Sequence, residues 1–152
     1  MHFEPSPLEV VSAMLELAGV GPADVVYDLG CGDGRIVIEA ARRYGARGVC
    51  VEIDPQLLAE ARANAAAAGV SPGIRFLEQD LLQTNLGDAT VVMLFLSGSM
   101  NLRLRPKLQN ELAPGARVVS HWHRMGDWTP ERTVVVPLRY AHEIYLWRIS
   151  RP

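Results

Sequence analysis

The sequence has little of what would take it outside ordinary globular proteins. Only two of its 152 residues are cysteine, Cys31 and Cys50. They form no CxxC pair, and two thiols alone cannot build a zinc site, so no metal is expected. So few thiols make a reduced, cytoplasmic setting the default. No apolar run approaches the roughly 18 residues of a membrane span, which argues against membrane insertion. The opening MHFEPSPLEV lacks a basic stretch leading into an apolar one, so it does not read as a secretory signal. Lysine is almost missing: of the fifteen basic residues only Lys107 is one. With a formal net charge of −2 there is no excess of positive charge, and nucleic acid is not an expected partner.

What remains is a chain that is 49% hydrophobic and 21% charged, the usual balance for a packed domain. A chain of this length can bury about 68–70% of its unfolded surface, and one domain over 1–152 is expected. Ser6, Pro7 and Glu9 resemble a capping box ahead of a helix whose inward face would be Leu8, Val11, Leu15 and Ala18. Short β-branched runs at 24–29, 47–53, 74–78, 90–96 and 117–120 predict five strands. Helical patterns follow the first two and the fourth. The fourth run, TVVMLFL, is apolar throughout, as suits a strand covered on both faces. Pro106 must sit in the first turn of the helix after that strand, or kink it. Runs at 133–136 and 143–149 have no helical pattern between them and predict an antiparallel pair. Strands alternating with helices imply an open parallel sheet with helices on both faces.

The chemistry concentrates after the first strand, in Asp28-Leu29-Gly30-Cys31-Gly32-Asp33-Gly34. Ligands of doubly wound sheets bind beyond the carboxyl ends of the strands, and glycines there let the backbone turn and approach a ligand closely. A dinucleotide fingerprint, G-x-G-x-x-G/A, would need a small third residue where Arg35 stands. A phosphate-binding G-x-x-x-x-G-K-[ST] loop is missing, and Asp28 would repel a pyrophosphate. An acidic, glycine-rich turn suits a cationic nucleoside instead: S-adenosylmethionine has a sulfonium and an ammonium and no phosphate. Glu52, 22 positions past Gly30, stands where a carboxylate accepts from ribose hydroxyls. Asp80 would accept from the adenine amine, with Ile53 and Leu81 as apolar walls. Asp33 reads as a helix cap, and Cys31 would meet the donor through its backbone.

In order and spacing these residues resemble the class I S-adenosylmethionine-dependent methyltransferases, over about 25–149. The resemblance implies a three-layer Rossmann-like α/β fold, with a mostly parallel seven-stranded sheet and an antiparallel C-terminal hairpin. It implies S-adenosylmethionine as cofactor, bound by Asp28, Gly30, Cys31, Gly32, Gly34, Glu52, Ile53, Asp80 and Leu81. Phe3-Glu4-Pro5-Ser6, followed by a helix and Gly32-Asp33-Gly34-Arg35-Ile36-Val37-Ile38, is similar to small protein-lysine methyltransferases. In that likeness segment 1–20 covers the cofactor, and Phe3 and Ser6 help close the pocket. The stretch Phe95-Leu96-Ser97-Gly98 lacks the Asp/Asn-Pro-Pro-Tyr signature of base methylation. That departure speaks against base methylation without establishing a protein substrate; the acceptor that the resemblance implies is a nucleophile such as a protein lysine or a small-molecule amine.

A non-catalytic donor-binding module and an NAD-dependent oxidoreductase are the alternatives. No catalytic residue is assigned. His121 is a candidate to line the acceptor site or to assist deprotonation, whereas Trp122 and Trp128 read first as packing.

Overall fold

The structure, a computed structural model, describes residues 5–150. Its strands are β1 (Val25–Leu29), β2 (Arg47–Val51), β3 (Ile74–Leu77), β4 (Val91–Leu94), β5 (Arg117–His121), β6 (Arg132–Pro137) and β7 (Ala141–Arg148). They form one sheet in the order β3-β2-β1-β4-β5-β7-β6. The first five are parallel, while β7 runs antiparallel to both β5 and β6. The helices are α1 (Leu8–Ala18), α2 (Arg35–Tyr44), α3 (Pro55–Ala67) and α4 (Gly98–Glu111). From β1 the chain builds outward to β3, then returns to the other side of β1 as β4. The strand order therefore reverses between β1 and β4, the place where an open α/β sheet leaves a crevice.

Alternation along the strands divides the core into two faces. Val26, Val91, Met93, Val119, Ile144 and Leu146 pack under α1 and α2. Tyr27, Leu29, Val92, Leu94, Val118 and Trp147 point the other way, onto Leu104 and Leu108 of α4 and Leu112 at its C-cap. A smaller cluster joins Val37, Cys50, Leu58, Ala61 and Ala65 beneath α3. Helices thus cover both faces, and strand ends stay open only at the two rims.

Four local expectations are corrected or narrowed. Pro7, not Ser6, is the N-cap of α1, without a side-chain cap bond; the Ser6 hydroxyl is bonded elsewhere. Leu8 is exposed rather than inward, and Val10 and Met14 are buried in the face it was expected to share. Pro106 lies well inside α4, which excludes the first-turn position of the two alternatives; the buried leucines of this helix are Leu104 and Leu108. The cysteines are not free thiols: Cys31 and Cys50 are joined in a disulfide, because the turn after β1 lies against β2. No helix among the described residues is long and apolar enough to cross a membrane.

Candidate functional site

Strands β2 and β4 each end two residues before the apolar runs that predict them, at Val51 and Leu94. Glu52, Ile53, Phe95 and Leu96 therefore stand in loops above the carboxyl ends of the sheet.

The turn after β1 is fastened to β2 from three sides. The Gly30 and Cys31 N–H groups both donate to the Val51 carbonyl, at 2.8 and 2.9 Å. The Cys31–Cys50 bond crosses the same gap, with the Cα atoms 5.3 Å apart. The Gly32 N–H donates to Glu52 Oε1 at 2.9 Å. Such a tight bend needs left-handed backbone, and Gly30, Gly32 and Gly34 supply it with φ of 81°, 56° and 83°. A Cβ on Gly34 would lie 3.1 Å from that of Ala61, so glycine also permits α2 and α3 to approach.

Glu52 is nearly buried. Its Oε2 accepts from the Asp54 N–H at 3.0 Å, so each oxygen already has one backbone donor and retains lone-pair capacity for another. Asp28 is 3% exposed, and no hydrogen bond to its carboxylate occurs among the described residues. Burial, reinforced by the nearby Glu52 and Asp33 carboxylates, pushes its carboxyl up to about 8. A group in that state is short of positive charge. The Arg35 guanidinium does not supply it: it is paired with Asp33 at 2.7 Å and donates to the Ser6 carbonyl at 3.0 Å. A sulfonium–ammonium nucleoside fits such a crevice, and a pyrophosphate does not.

The remaining expected residues lie around this centre. Ile53 is 63% exposed beside Glu52, an apolar side chain left uncovered at the crevice. Asp80 follows β3, whose last residue Leu77 is in register with Val51. Its Oδ1 accepts from the Leu82 N–H at 2.9 Å, capping a 3-10 turn at Leu81–Gln83. Leu81 is half-buried. Asp33 is not the expected cap: Gly34 is the N-cap of α2, without a side-chain cap bond, and Asp33 Oδ1 instead accepts from the Arg35 N–H at 3.2 Å and pairs with its guanidinium. Phe3 lies outside the described residues.

The second half of the crevice is the part the sequence concealed. Register pairs Leu29 with Leu94 and Leu94 with Ser120. Gly30, Phe95 and His121 are thus the next residues along three neighbouring strands. Gly30 is tied to this row, since a Cβ there would meet Leu96 at 3.1 Å. His121 is fully buried, with its Nδ1 2.9 Å from the Ser6 hydroxyl and its Nε2 2.8 Å from His142 Nδ1. Burial, then His142 and His123, pushes its pKa down to about 4. It is a neutral ring with both nitrogens engaged, rather than a base open to the acceptor. Phe95 lies 4.1 Å from it, centroid to centroid. His142, which enters from β7, stacks on Trp122 at 4.8 Å. Nothing in the local sequence marks Phe95 or His142; the antiparallel β5–β7 ladder brings His142 there.

Comparison with known proteins follows this geometry. The ANTKMT methyltransferase domain family matches residues 28–132. A protein-lysine N-methyltransferase of Saccharolobus islandicus is 41% identical over 150 residues, covering 97% of this chain and 93% of its own. The mouse adenine nucleotide translocase lysine N-methyltransferase is 40% identical over 125 residues, 82% of this chain. That match spans 54% of the mouse protein, so the chain corresponds to about half of that relative. Among solved structures, an RNA methyltransferase of Salinibacter ruber in complex with S-adenosyl-L-homocysteine superposes with a TM-score of 0.93 at 51% identity. It covers 98% of this chain and 95% of that one.

Proposed function

The chain belongs to the ANTKMT methyltransferase domain family, and from that premise we propose that its acceptor is the side-chain amine of a protein lysine. The enzyme is an S-adenosylmethionine-dependent methyltransferase. Donor binding without turnover and hydride transfer with NAD are both set aside by that membership. When bound, S-adenosylmethionine supplies a methyl carbon on a sulfonium, and in-line attack by a neutral amine leaves the electron pair of the broken bond on sulfur.

The protein's share is binding and alignment, which contributes roughly 7–11 kcal/mol in favourable cases. Asp28 supplies the counter-charge for the cationic end of the donor. Gly30, Cys31, Gly32 and Gly34 offer backbone without side-chain obstruction. Glu52 accepts from the ribose hydroxyls and Asp80 from the adenine amine, between Ile53 and Leu81. Ser6, fixed to Arg35 and His121, anchors the start of the described chain beside this site; the expected covering role of segment 1–20 belongs to the same proposal. No catalytic base is assigned. One domain over 1–152 in the cytoplasm belongs to the same reading.

The observation that carries the donor assignment is the buried Asp28 carboxyl, with no cation paired to it among the described residues, beside a glycine turn pinned by Glu52. Lysine as acceptor is supported by the names of the Saccharolobus and mouse relatives and by the chain's charge of −2, which suits a basic protein better than an RNA. The test is transfer of a deuterated methyl from the donor into an extract of the source cell, with protein and RNA digested separately. Mass-shifted methyl-lysine in peptides supports the proposal. Label confined to nucleosides overturns it and assigns the acceptor named for the Salinibacter neighbour.

A further inference from the structure

Trp122 is held in a conformation that its own packing does not repay. Its φ of 69° makes it the only non-glycine residue with positive φ among the described residues. The His123 N–H donates to the His121 carbonyl at 2.9 Å, closing a three-residue turn of the rare, strained hand. Bulky residues in this region are strained and persist only where the surroundings over-determine them. Here they do. The Trp122 N–H donates to the Glu143 carbonyl at 2.8 Å, and the indole N–H to that of Ala141 at 3.2 Å. Asn101, fully buried in α4, donates from Nδ2 to the His123 and Arg124 carbonyls at 3.1 and 3.2 Å. His142 lies parallel to the indole, with an interplanar angle of 4°. Yet 40% of Trp122 remains exposed. A residue kept only for the core would be covered.

Its place gives the exposure a purpose. Trp122 follows β5, and its ring lies 6.0 Å, edge-on, from Phe95. Phe95 stands one strand over from the donor turn, next to Leu96, which is against Gly30. The rings behind it are uncharged or already bonded: His121 is neutral and doubly hydrogen-bonded. Arg124, the one Arg or Lys of the segment 121–127, lies over the Tyr145 ring at 4.6 Å. An aromatic face attracts an ammonium and its alkyl stem.

Building on the lysine reading above, we propose that Trp122 and Phe95 form the receptor for the acceptor side chain, an aromatic wall that takes the lysine stem and ammonium on the way to the donor. The strain at Trp122 is what presents the indole to the crevice instead of burying it. Nucleobase stacking is the other use of an exposed aromatic, and the experiment below separates the two.

The experiment uses the protein saturated with S-adenosylhomocysteine, with the Trp122 indole N–H resonance followed by NMR. The probes are Nα-acetyl-lysine methylamide and its uncharged isostere Nα-acetyl-norleucine methylamide. The lysine compound is expected to shift the Trp122 resonance in a saturable way, with the norleucine compound at least tenfold weaker. Trp122→Phe should bind lysine within about threefold of the parent. Trp122→Leu should lose at least tenfold while its affinity for S-adenosylhomocysteine is unchanged, which reports an intact fold. Equal binding of the two probes, or full lysine binding by Trp122→Leu, overturns the inference, as does a shift caused by an oligoadenylate and not by lysine. Binding is read without turnover. A lysine probe that binds at Trp122 while no lysine is methylated leaves this inference standing and defeats the lysine reading instead.

Discussion

The Gly32 N–H and Glu52 Oε1 stand 2.9 Å apart, across 20 residues of sequence. One carboxylate thereby fixes the shape of the glycine turn and keeps lone-pair capacity for a further donor. Glu52→Ala removes the clamp and, in the proposed donor site, the ribose acceptor. Its donor affinity should fall by about 1–3 kcal/mol, the cost of unmet buried hydrogen bonds, or roughly 5- to 150-fold in Kd. Calorimetry showing an unchanged Kd would remove Glu52 from the donor site.

Asp28 makes the stability of the donor-free protein depend on pH. Its folded pKa of about 8 lies above the ordinary 3.8, so the folded state holds an extra proton in that window and stability falls as pH rises through it. His121 acts oppositely. Its folded pKa of about 4 lies below the ordinary 6.5, so its contribution is lost as pH falls through 6.5 toward 4. The two slopes offset each other below pH 6.5, and Asp28 acts alone above it. Thermal unfolding should show a loss on the order of 1–2 kcal/mol between pH 6.5 and 8, absent in Asp28→Asn. A parallel loss in that variant would contradict the assignment.

The Cys31–Cys50 bond closes a loop with a sequence separation of 19. Loop-closure entropy of that size stabilises by about 3 kcal/mol. Denaturant unfolding of Cys50→Ala, or of the parent under strong reductant, should show a loss approaching that value. Donor affinity should fall as well, because the bond holds the turn against β2. A reduced protein of unchanged stability would show that hydrogen bonds from Gly30 and Cys31 to Val51 suffice.

Ser6→Ala leaves buried His121 Nδ1 without its partner 115 residues away. A stability loss of about 1–3 kcal/mol is expected, with little change in the helicity of α1, since Ser6 does not cap it. A loss of helicity would restore the capping role.

These particulars separate what was legible in the sequence from what was not. The alternating sheet, the reversed last pair and the Asp28–Gly34 turn could be read because each depends on local period or on glycine at fixed spacing. The closeness of Glu52 to the glycine turn could be read from its distance to the first glycine, and the Gly32 N–H bond places it there. Ser6 was misread because a local S-x-x-E pattern gave way to a partner on β5, as tertiary contacts commonly override capping propensity. The disulfide and the His142–Trp122 stack were hidden for a related reason. They form only once β2 lies beside the turn and β7 beside β5, and spacing along the chain contains no trace of either.

The most direct measurement is calorimetric titration of S-adenosylmethionine into the protein at pH 7, in two buffers of different ionisation heat, with NAD as the comparison. The expected result is binding of S-adenosylmethionine with close to one proton released, as the cationic donor forces Asp28 to ionise, no such release in Asp28→Asn, and no heat from NAD. Binding of NAD in its place, or donor binding with the same proton balance in the parent and in Asp28→Asn, would contradict a crevice built around a buried carboxyl awaiting a cation.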